Sequence, residues 1–213
     1  MHELVDLFLH LDVHLHSVIL EYGAATYVIL FLILFCETGL VVTPILPGDS
    51  LLFAAGTFAA SGSLDLRALV PLLCIAAILG DAVNYHIGKY IGPRVLNDDT
   101  KYFRKEYLIR TQRFFERYGA KTIVIARFVP IVRTFAPFLA GVGSMSYMRF
   151  AAYNVVGAIL WICICTFAGY FFGNLPLVKQ NFTLVVLAII FISILPAAYE
   201  LWRDRHRPKQ FTS

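Results

Sequence analysis

Two long runs without a charged residue constrain this chain more than any other feature. Residues 150–178 and 180–199 contain no Asp, Glu, Lys or Arg. A helix that spans a bilayer needs about 20 apolar residues, so each run is long enough to cross. The whole chain is 59% hydrophobic and only 15% charged, whereas soluble domains carry about 25% charged residues. The sequence therefore predicts one all-α integral membrane domain over residues 1–213.

Two earlier apolar segments also predict spanning helices. Residues 22–37 are apolar up to Glu37, and residues 67–91 continue through Asp81 without a break in the middle. Proline at position 71 lies near the start of the second segment, where a helix tolerates it. The predicted architecture thus has four spans, at about 22–37, 67–91, 149–172 and 180–201.

Two other apolar segments, 38–60 and 122–143, are interrupted by helix breakers. The breaks fall at Pro44, Pro47 and Gly48 in the first segment and at Pro130 and Pro137 in the second. Each half is too short to cross a bilayer, and broken backbone at membrane depth survives only inside protein or along a watered cavity. Both segments are therefore predicted to be re-entrant helical hairpins.

The hairpins and the spans that follow them form an internal repeat. "PILPGDSLLFAAG" (44–56) and "PIVRTFAPFLAG" (130–141) both begin with Pro-Ile and end with Phe-x-Ala-Gly. The following spans close with "GKYIG" (88–92) and "GYFFG" (169–173). An inverted repeat of broken helices that meet near the midplane is a transporter design.

The distribution of basic residues predicts the orientation. Residues 93–121 hold eight Lys or Arg residues and four acids, and the tail 203–213 is also basic. The positive-inside rule places both in the cytoplasm, so the two hairpins enter from opposite sides and both termini are cytoplasmic. Residues 1–21 contain no Lys or Arg, but the conflict is mild because acids contribute little to this rule.

The first 19 residues predict an interfacial amphipathic helix. Leu4, Phe8 and Leu11 fall on one face, whereas His10 and His14 fall on the other with the acids. These histidines either sense pH or are simply solvated residues of the polar face. The cysteines at 36, 74, 163 and 165 all lie in apolar runs and are interpreted as reduced core residues, with no metal site and no cofactor.

Five charged residues lie in or beside the membrane segments: Glu37, Asp49, Asp81, Arg127 and Arg133. Each would cost ~2.5–3.5 kcal/mol at the bilayer centre if unpaired, so they must be paired, protonated or hydrated. They either pin the two hairpins together as internal salt bridges or form a site with arginines for an anion and carboxylates for protons. The second interpretation is favoured because apolar packing would hold hairpins together at lower cost.

A polar stripe on the 67–91 span supports such a site. Asp81, Asn84, Tyr85 and Gly88 are spaced i, i+3, i+4 and i+7, which puts them on one helix face. Asn154 on the later span belongs to a similar pattern, and glycines at the stripe's end permit close helix approach.

Three stretches resemble the DedA family of bacterial inner-membrane proteins, which shares its membrane domain with eukaryotic lipid scramblases. They are "FCETGLVVTPILPGDSLLFAAG", "GDAVNYHIGKYIG" and "ARFVPIVRTFAPFLAGVGSMSYMRF". The resemblance implies a location in the inner membrane and a broken-helix inverted-repeat fold. It also implies lipid movement that depends on the proton motive force, with undecaprenyl phosphate as cargo for some members, and a role in envelope integrity. The family's functional acids match Glu37 and Asp49, and its functional arginines match Arg127 and Arg133.

The predicted function is therefore a flippase of phosphorylated lipid rather than an enzyme. Arg127 and Arg133 lie on either side of Pro130, and guanidinium can grip phosphate bidentately. Glu37, Asp49 and Asp81 are the predicted proton carriers. Supporting roles fall to Asn84, Tyr85, Pro47, Gly48, Pro130 and Asn154. The expected partners are membrane lipids and protons, with no nucleic acid and with homo-oligomers left open.

Three alternatives belong to other classes. A proton-coupled antiporter of small cations would use the three acids, although the arginines would repel its cargo. An intramembrane lipid phosphatase would need a nucleophile beside a base, and only His86 lies near the spans. A scaffold would need no site and would tolerate substitution of the five charges.

Overall fold

A computed structural model describes residues 21–40, 48–97, 119, 121–128, 130–143, 145–176 and 178, together with 181, 184, 185, 187–189 and 191. The regular structure within these residues is helical, with no strand among them. The all-α class is thereby confirmed. The helices are α1 (Ala25–Gly39), α2 (Gly48–Ala60), α3 (Leu66–Asn97), α4 (Lys121–Ala126), α5 (Pro130–Val142) and α6 (Tyr147–Phe172).

Two helices are long and apolar enough to cross a membrane. They are Leu66–Ile91 within α3 and the whole of α6, each of 26 residues, or about 39 Å at 1.5 Å per residue. Asp65 starts α3, because its Oδ1 accepts the Arg67 backbone N–H at 2.8 Å in the manner of an N-cap. These helices match the spans predicted at 67–91 and 149–172. The helix predicted at 67–91 continues to Asn97, into the segment expected to be a loop.

The other two predicted spans remain predictions. The segment 22–37 corresponds to α1, whose 15 residues extend only about 22 Å. The segment 180–201 lies mostly outside the described residues.

The two segments predicted as hairpins contain short helices, and the break of the first segment lies outside the described residues. In the first, Thr38 and Gly39 still belong to α1, and α2 supplies a limb of 13 residues. In the second, α4 ends at Ala126 and α5 begins at Pro130. Limbs of this length cannot cross a bilayer. Their re-entry from opposite sides of the membrane stays a prediction.

The predicted break at Pro137 is wrong. Pro137 lies inside α5, which runs unbroken from Pro130 to Val142. A proline within a helix removes only one N–H bond to the carbonyl four residues earlier, and the packing of α5 against α3 outweighs that loss. The break at Pro130 is confirmed, since α4 ends at Ala126 and α5 begins at Pro130. Proline suits the first turn of a helix.

The short helices pack across the repeat. Helix α2 of the first half lies against α6 of the second half, and α5 of the second half lies against α3 of the first. At one crossing, a Cβ on Gly56 would overlap the Thr166 carbonyl oxygen, and a Cβ on Gly169 would overlap the Phe53 carbonyl oxygen. Only glycine permits backbones to approach this closely.

The second crossing has the same geometry at the aligned positions. A Cβ on Gly141 would overlap the Tyr85 carbonyl oxygen, and a Cβ on Gly88 would overlap the Phe138 carbonyl oxygen. Aligning Gly56 with Gly141 pairs Phe53 with Phe138, and aligning Gly169 with Gly88 pairs Thr166 with Tyr85. The internal repeat therefore extends from the sequence to equivalent helix contacts.

Two apolar clusters lie around these crossings. The larger one joins α1, α2, α3 and α6 and includes Leu34, Leu52, Leu73 and Ile162. The smaller one lies where α3, α4, α5 and α6 meet and includes Tyr85 and Phe150. The cysteines at 36, 74, 163 and 165 are free and only half-buried, less buried than the core positions predicted for them.

Several predictions fall outside the described residues. They are the interfacial helix at 1–19, the breaks at Pro44 and Pro47, most of the basic loop at 93–121 and the tail at 203–213.

Candidate functional site

All five embedded charges take part in ion pairs, one from Arg127 and two from Arg133. Glu37, Asp81, Arg127 and Arg133 are 5% exposed or less, whereas the Asp49 side chain is 21% exposed. We call these five residues the ion-pair cluster. It contains three carboxylates and two guanidiniums, and Asp49 is its exposed edge.

Arg133 holds two carboxylates at once. Its Nη2 donates to Glu37 Oε1 at 2.5 Å, and its Nη1 donates to Asp49 Oδ1 at 3.0 Å. Arg133 lies in the first turn of α5, Glu37 in the last turn of α1 and Asp49 in the first turn of α2. One guanidinium therefore joins three helices from both halves of the repeat.

The N-terminus of α2 contributes to the same group. The Gly48 backbone N–H donates to Glu37 Oε1 at 3.1 Å. The first N–H groups of a helix have no partner within the helix, and its dipole favours negative charge there. A Cβ at position 48 would overlap the Glu37 carboxylate, so this approach requires glycine.

Trp161 of α6 lies beneath both arginines. Its indole N–H donates to Asp49 Oδ1 at 2.7 Å. The guanidinium carbon of Arg133 is 4.5 Å from the ring centroid, and that of Arg127 is 6.0 Å from it. These distances are in the range of cation–π attraction. Trp161 is 1% exposed, so its buried ring packs against both guanidiniums of the ion-pair cluster.

Arg127 forms a second buried group. It lies in the break between α4 and α5, where its Nη2 donates to Asp81 Oδ2 and to Asn154 Oδ1. The Asn154 amide donates to the Ile78 carbonyl at 3.1 Å and is thereby fixed between α6 and α3. Gly157 makes room, because a Cβ there would lie 3.0 Å from Arg127 Cδ.

Asn84 and Tyr85 brace this region from α3. The Asn84 amide donates to the Thr134 carbonyl at 2.8 Å and to the Thr38 carbonyl at 3.2 Å, next to Arg133 and Glu37 in sequence. The Tyr85 hydroxyl donates to the Met145 carbonyl, and its ring stacks on Phe150 at 4.5 Å. The predicted stripe of Asp81, Asn84, Tyr85 and Gly88 is confirmed as a single buried face.

The ion-pair cluster leaves hydrogen-bonding capacity unused. Within the described part of the chain, Arg133 Nε and Arg127 Nε and Nη1 have no acceptor, and Glu37 Oε2 and Asp81 Oδ1 have no donor. Buried polar atoms are normally satisfied. The site therefore has donors and acceptors available for water or a ligand.

Sequence reasoning missed Trp161 and Gly157. Trp161 is one of two tryptophans in the chain and lies in a run that reads as ordinary span. The signal that could have identified Trp161 is its indole N–H, a hydrogen-bond donor within an otherwise apolar span. Gly157 gives no signal of its own in the sequence, because its role depends on where the Arg127 side chain lies.

His86 lies on the other side of α3 from the ion-pair cluster. Its Nδ1 is 2.7 Å from the Ala82 carbonyl, one turn earlier. It borders an apolar groove of about 830 Å³ with Phe35, Leu79, Val83 and Tyr90. Within the described residues, no three His, Cys, Asp or Glu side chains are placed to hold a metal ion.

Apolar helices that enclose ion pairs from both halves of a repeat define a helical membrane protein with a buried polar site. Comparison with known proteins agrees with the membrane class. The family described as the VTT domain matches residues 46–171. The chain is 57% identical to "Protein DedA" of Escherichia coli strain K12 over 205 residues, covering 95% of this chain and 94% of the relative. The chain belongs to the DedA family of membrane proteins.

More distant relatives carry related names. "Uncharacterized membrane protein Rv0364" of Mycobacterium tuberculosis is 43% identical over 89% of this chain and 86% of its own length. "Inner membrane protein YqjA" of Escherichia coli strain K12 is 36% identical over 70% of this chain and 69% of its own length. No solved structure matches the chain.

Proposed function

We propose that this protein is a transporter of the bacterial inner membrane that flips a phosphorylated lipid, using the proton motive force and supporting envelope integrity. Undecaprenyl phosphate and phospholipids are the candidate cargoes. The proposal assigns anion binding to Arg127 and Arg133 and proton binding to Glu37, Asp49 and Asp81.

One observation carries this proposal: the Arg133 guanidinium is divided between two carboxylates. Glu37 and Asp49 approach its two terminal nitrogens at 2.5 and 3.0 Å. The same nitrogens can hold two oxygens of one phosphate in a fork, which is a strong and directional arrangement. The ion-pair cluster then alternates between a state closed by its own acids and a state that holds cargo.

Protons enter this exchange through the two acids. A proton on Glu37 or Asp49 removes the charge that holds the acid to Arg133, and this frees the guanidinium for phosphate. Because such coupling is reciprocal, phosphate binding must also change proton affinity by the same free energy. A pH gradient can therefore drive cargo binding on one side and release on the other.

The surroundings suit a lipid. Asp49 is the exposed edge of the ion-pair cluster, at 21%, and gives a head group a route to Arg133. The outer faces of α3 and α6 expose large apolar side chains, including Leu79, Ile159 and Ile164. Lipid tails can remain in the bilayer while the head group enters the polar site.

The test is purified protein in liposomes that carry labelled lipids, with and without a pH gradient. We expect phosphorylated lipid to flip faster with the gradient and a neutral lipid of equal chain length to stay at the background rate. Equal rates for both lipids, or no effect of the gradient, would contradict the proposal.

A proton-coupled antiporter of small cations is the second candidate. The ion-pair cluster favours it in one respect, since three carboxylates against two guanidiniums leave one acid in excess when all are ionised. Vesicles without labelled lipid separate the two functions. An antiporter releases protons when Na⁺ or K⁺ is added outside, whereas the proposed flippase does not.

A further inference from the structure

We propose that the Glu37 carboxylate occupies a phosphate site built by the N-terminus of α2 and Arg133, and that the cargo phosphate binds by displacing it. This inference rests on the proposed function and concerns how its site is gated. The ligand is a phosphate group, whether free or attached to a lipid.

The first line of evidence is the set of donors around Glu37. One carboxylate oxygen, Oε1, accepts from Gly48 N at 3.1 Å and from Arg133 Nη2 at 2.5 Å. A helix N-terminus with an adjacent guanidinium is an arrangement that binds phosphate. Glu37 therefore places an anionic oxygen where a phosphate oxygen could accept the same two hydrogen bonds.

Gly48 provides the second line of evidence. An added Cβ would overlap both oxygens of Glu37. The backbone is thus bare at the point where the anion approaches. Cradles of this kind let an anion reach the N–H groups of a helix directly.

The third line of evidence is that Glu37 fits the site incompletely. Both donors use Oε1, while Oε2 has no donor and Arg133 Nε has no acceptor among the described residues. Arg133 is 5% exposed and its guanidinium lies over the Trp161 ring, so this unused N–H is a buried donor within the site. Phosphate carries more oxygens than a carboxylate and can use donors that Glu37 leaves unmatched.

Occupancy by Glu37 has a measurable consequence. A ligand that must wait for the site to open binds with an affinity reduced by the open fraction. If Glu37 fills the site in about nine molecules of ten, the apparent affinity is about one tenth of the intrinsic value. Removing the charge of Glu37 should therefore tighten phosphate binding even where it abolishes transport.

The experiment compares Glu37→Gln with wild-type protein in detergent at one fixed pH. Gln keeps the shape and an oxygen that accepts from Gly48. Isothermal titration uses three probes: inorganic phosphate, octyl phosphate and octanol. We expect Glu37→Gln to bind both phosphate probes about tenfold more tightly than wild type and octanol no differently. If only octyl phosphate binds more tightly, the site accepts phosphate attached to a lipid chain rather than free phosphate.

Asp81→Asn is the matched control. It also removes one buried negative charge, but Asp81 pairs with Arg127 and not with Arg133. We expect it to tighten binding less than Glu37→Gln, because it frees Arg127 but leaves Glu37 between Gly48 and Arg133. If both variants tighten binding equally, the effect comes from overall charge and not from Glu37 leaving the site, which contradicts the inference. Unchanged or weaker binding by Glu37→Gln would also overturn it.

A second measurement uses wild-type protein, so its result does not depend on the folding of a variant. Displaced Glu37 should react faster with a hydrophobic carbodiimide, so octyl phosphate should increase its labelling as read by mass spectrometry. Slower or unchanged labelling in the presence of bound octyl phosphate would also overturn the inference. Failure of the proposed function looks different, because wild-type liposomes would then not flip phosphorylated lipid at all.

Discussion

The two buried arginines are chemically alike but differently used. Arg133 engages two carboxylates through two nitrogens, whereas Arg127 uses one nitrogen for both Asp81 and Asn154. A fork needs the planar guanidinium, but a single-point contact can be served by an ammonium. The side chains therefore differ in how much of arginine's geometry each one needs.

This difference predicts unequal effects of lysine. We expect Arg133→Lys to lower flipping of phosphorylated lipid about ten- to a hundredfold, from a loss of ~1–3 kcal/mol of bidentate binding. Arg127→Lys should lose less, because the charge opposite Asp81 is kept. The measurement is flipping in liposomes over a range of lipid concentrations, normalised to folded protein. Unchanged rates in both variants would leave the arginines as mere partners of buried acids.

Trp161 predicts an effect that depends on its ring. Trp161→Leu removes both the ring under Arg133 and the donor to Asp49, so we expect slower flipping and a weaker dependence on the phosphate head group. Trp161→Phe keeps a ring, and with it part of a cation–π attraction of ~0.5–2 kcal/mol, so it should be milder.

The matched control for Trp161 is Phe150→Leu. Phe150 is also a fully buried aromatic residue of α6, but it packs in the smaller apolar cluster on Tyr85. Both Leu variants should lower the free energy of unfolding by ~1–3 kcal/mol. If Phe150→Leu slows flipping as much as Trp161→Leu at equal amounts of folded protein, the role assigned to Trp161 is only structural.

At the scale of elements, glycines allow the short helices α2 and α5 to pack closely against the long helices. Helices α2 and α5 have 13 residues each and meet a long helix of the opposite half at a backbone-to-backbone crossing. Gly56 with Gly169 and Gly88 with Gly141 form the two crossings. Their equivalence means that each half of the repeat holds the short helix of the other.

This equivalence predicts matched losses of stability. Gly56→Ala and Gly141→Ala should each lower the free energy of unfolding by ~1–3 kcal/mol, because a methyl group would meet a backbone carbonyl that cannot move aside. Thermal unfolding in detergent measures the effect. Gly39→Ala is the control, because its Cβ would lie 3.3 Å from the Gly80 carbonyl oxygen, a milder approach. A loss at only one of the two crossings would contradict their equivalence.

At the scale of the whole molecule, both halves supply the ion-pair cluster. Glu37, Asp49 and Asp81 come from the first half, and Arg127 and Arg133 come from the second. Each of these ion pairs thus joins an acid of the first half to an arginine of the second. A motion that separates the two halves at this site would have to break these pairs.

The orientation of the molecule is open to a direct test. Single cysteines at position 105 and in the tail 203–213 should be labelled only from the cytoplasmic side, since both segments are basic. The background needs the four native cysteines replaced. A membrane-impermeant maleimide applied to intact cells and then to inverted vesicles makes the measurement. Labelling of either position from outside the cell would reverse the predicted topology.

Much of the architecture and the site was predictable from the sequence alone. A charge within an apolar segment must find a partner, so the five members of the ion-pair cluster were identifiable without coordinates. Hydropathy identified the helices at 67–91 and 149–172, and the matching Phe-x-Ala-Gly ends revealed the repeat. These are local properties, since each depends on residues that are close together in the chain.

Only the tertiary structure decided which charges pair and what supports them. Arg133 could have faced Asp81, and Arg127 could have faced Glu37, because partners separated by 46 or 96 positions are chosen by helix packing and not by spacing. Trp161 and Gly157 matter through the side chains that they meet. Pro137 reads as a break in the sequence, yet α5 continues through it, because packing against α3 outweighs one lost hydrogen bond.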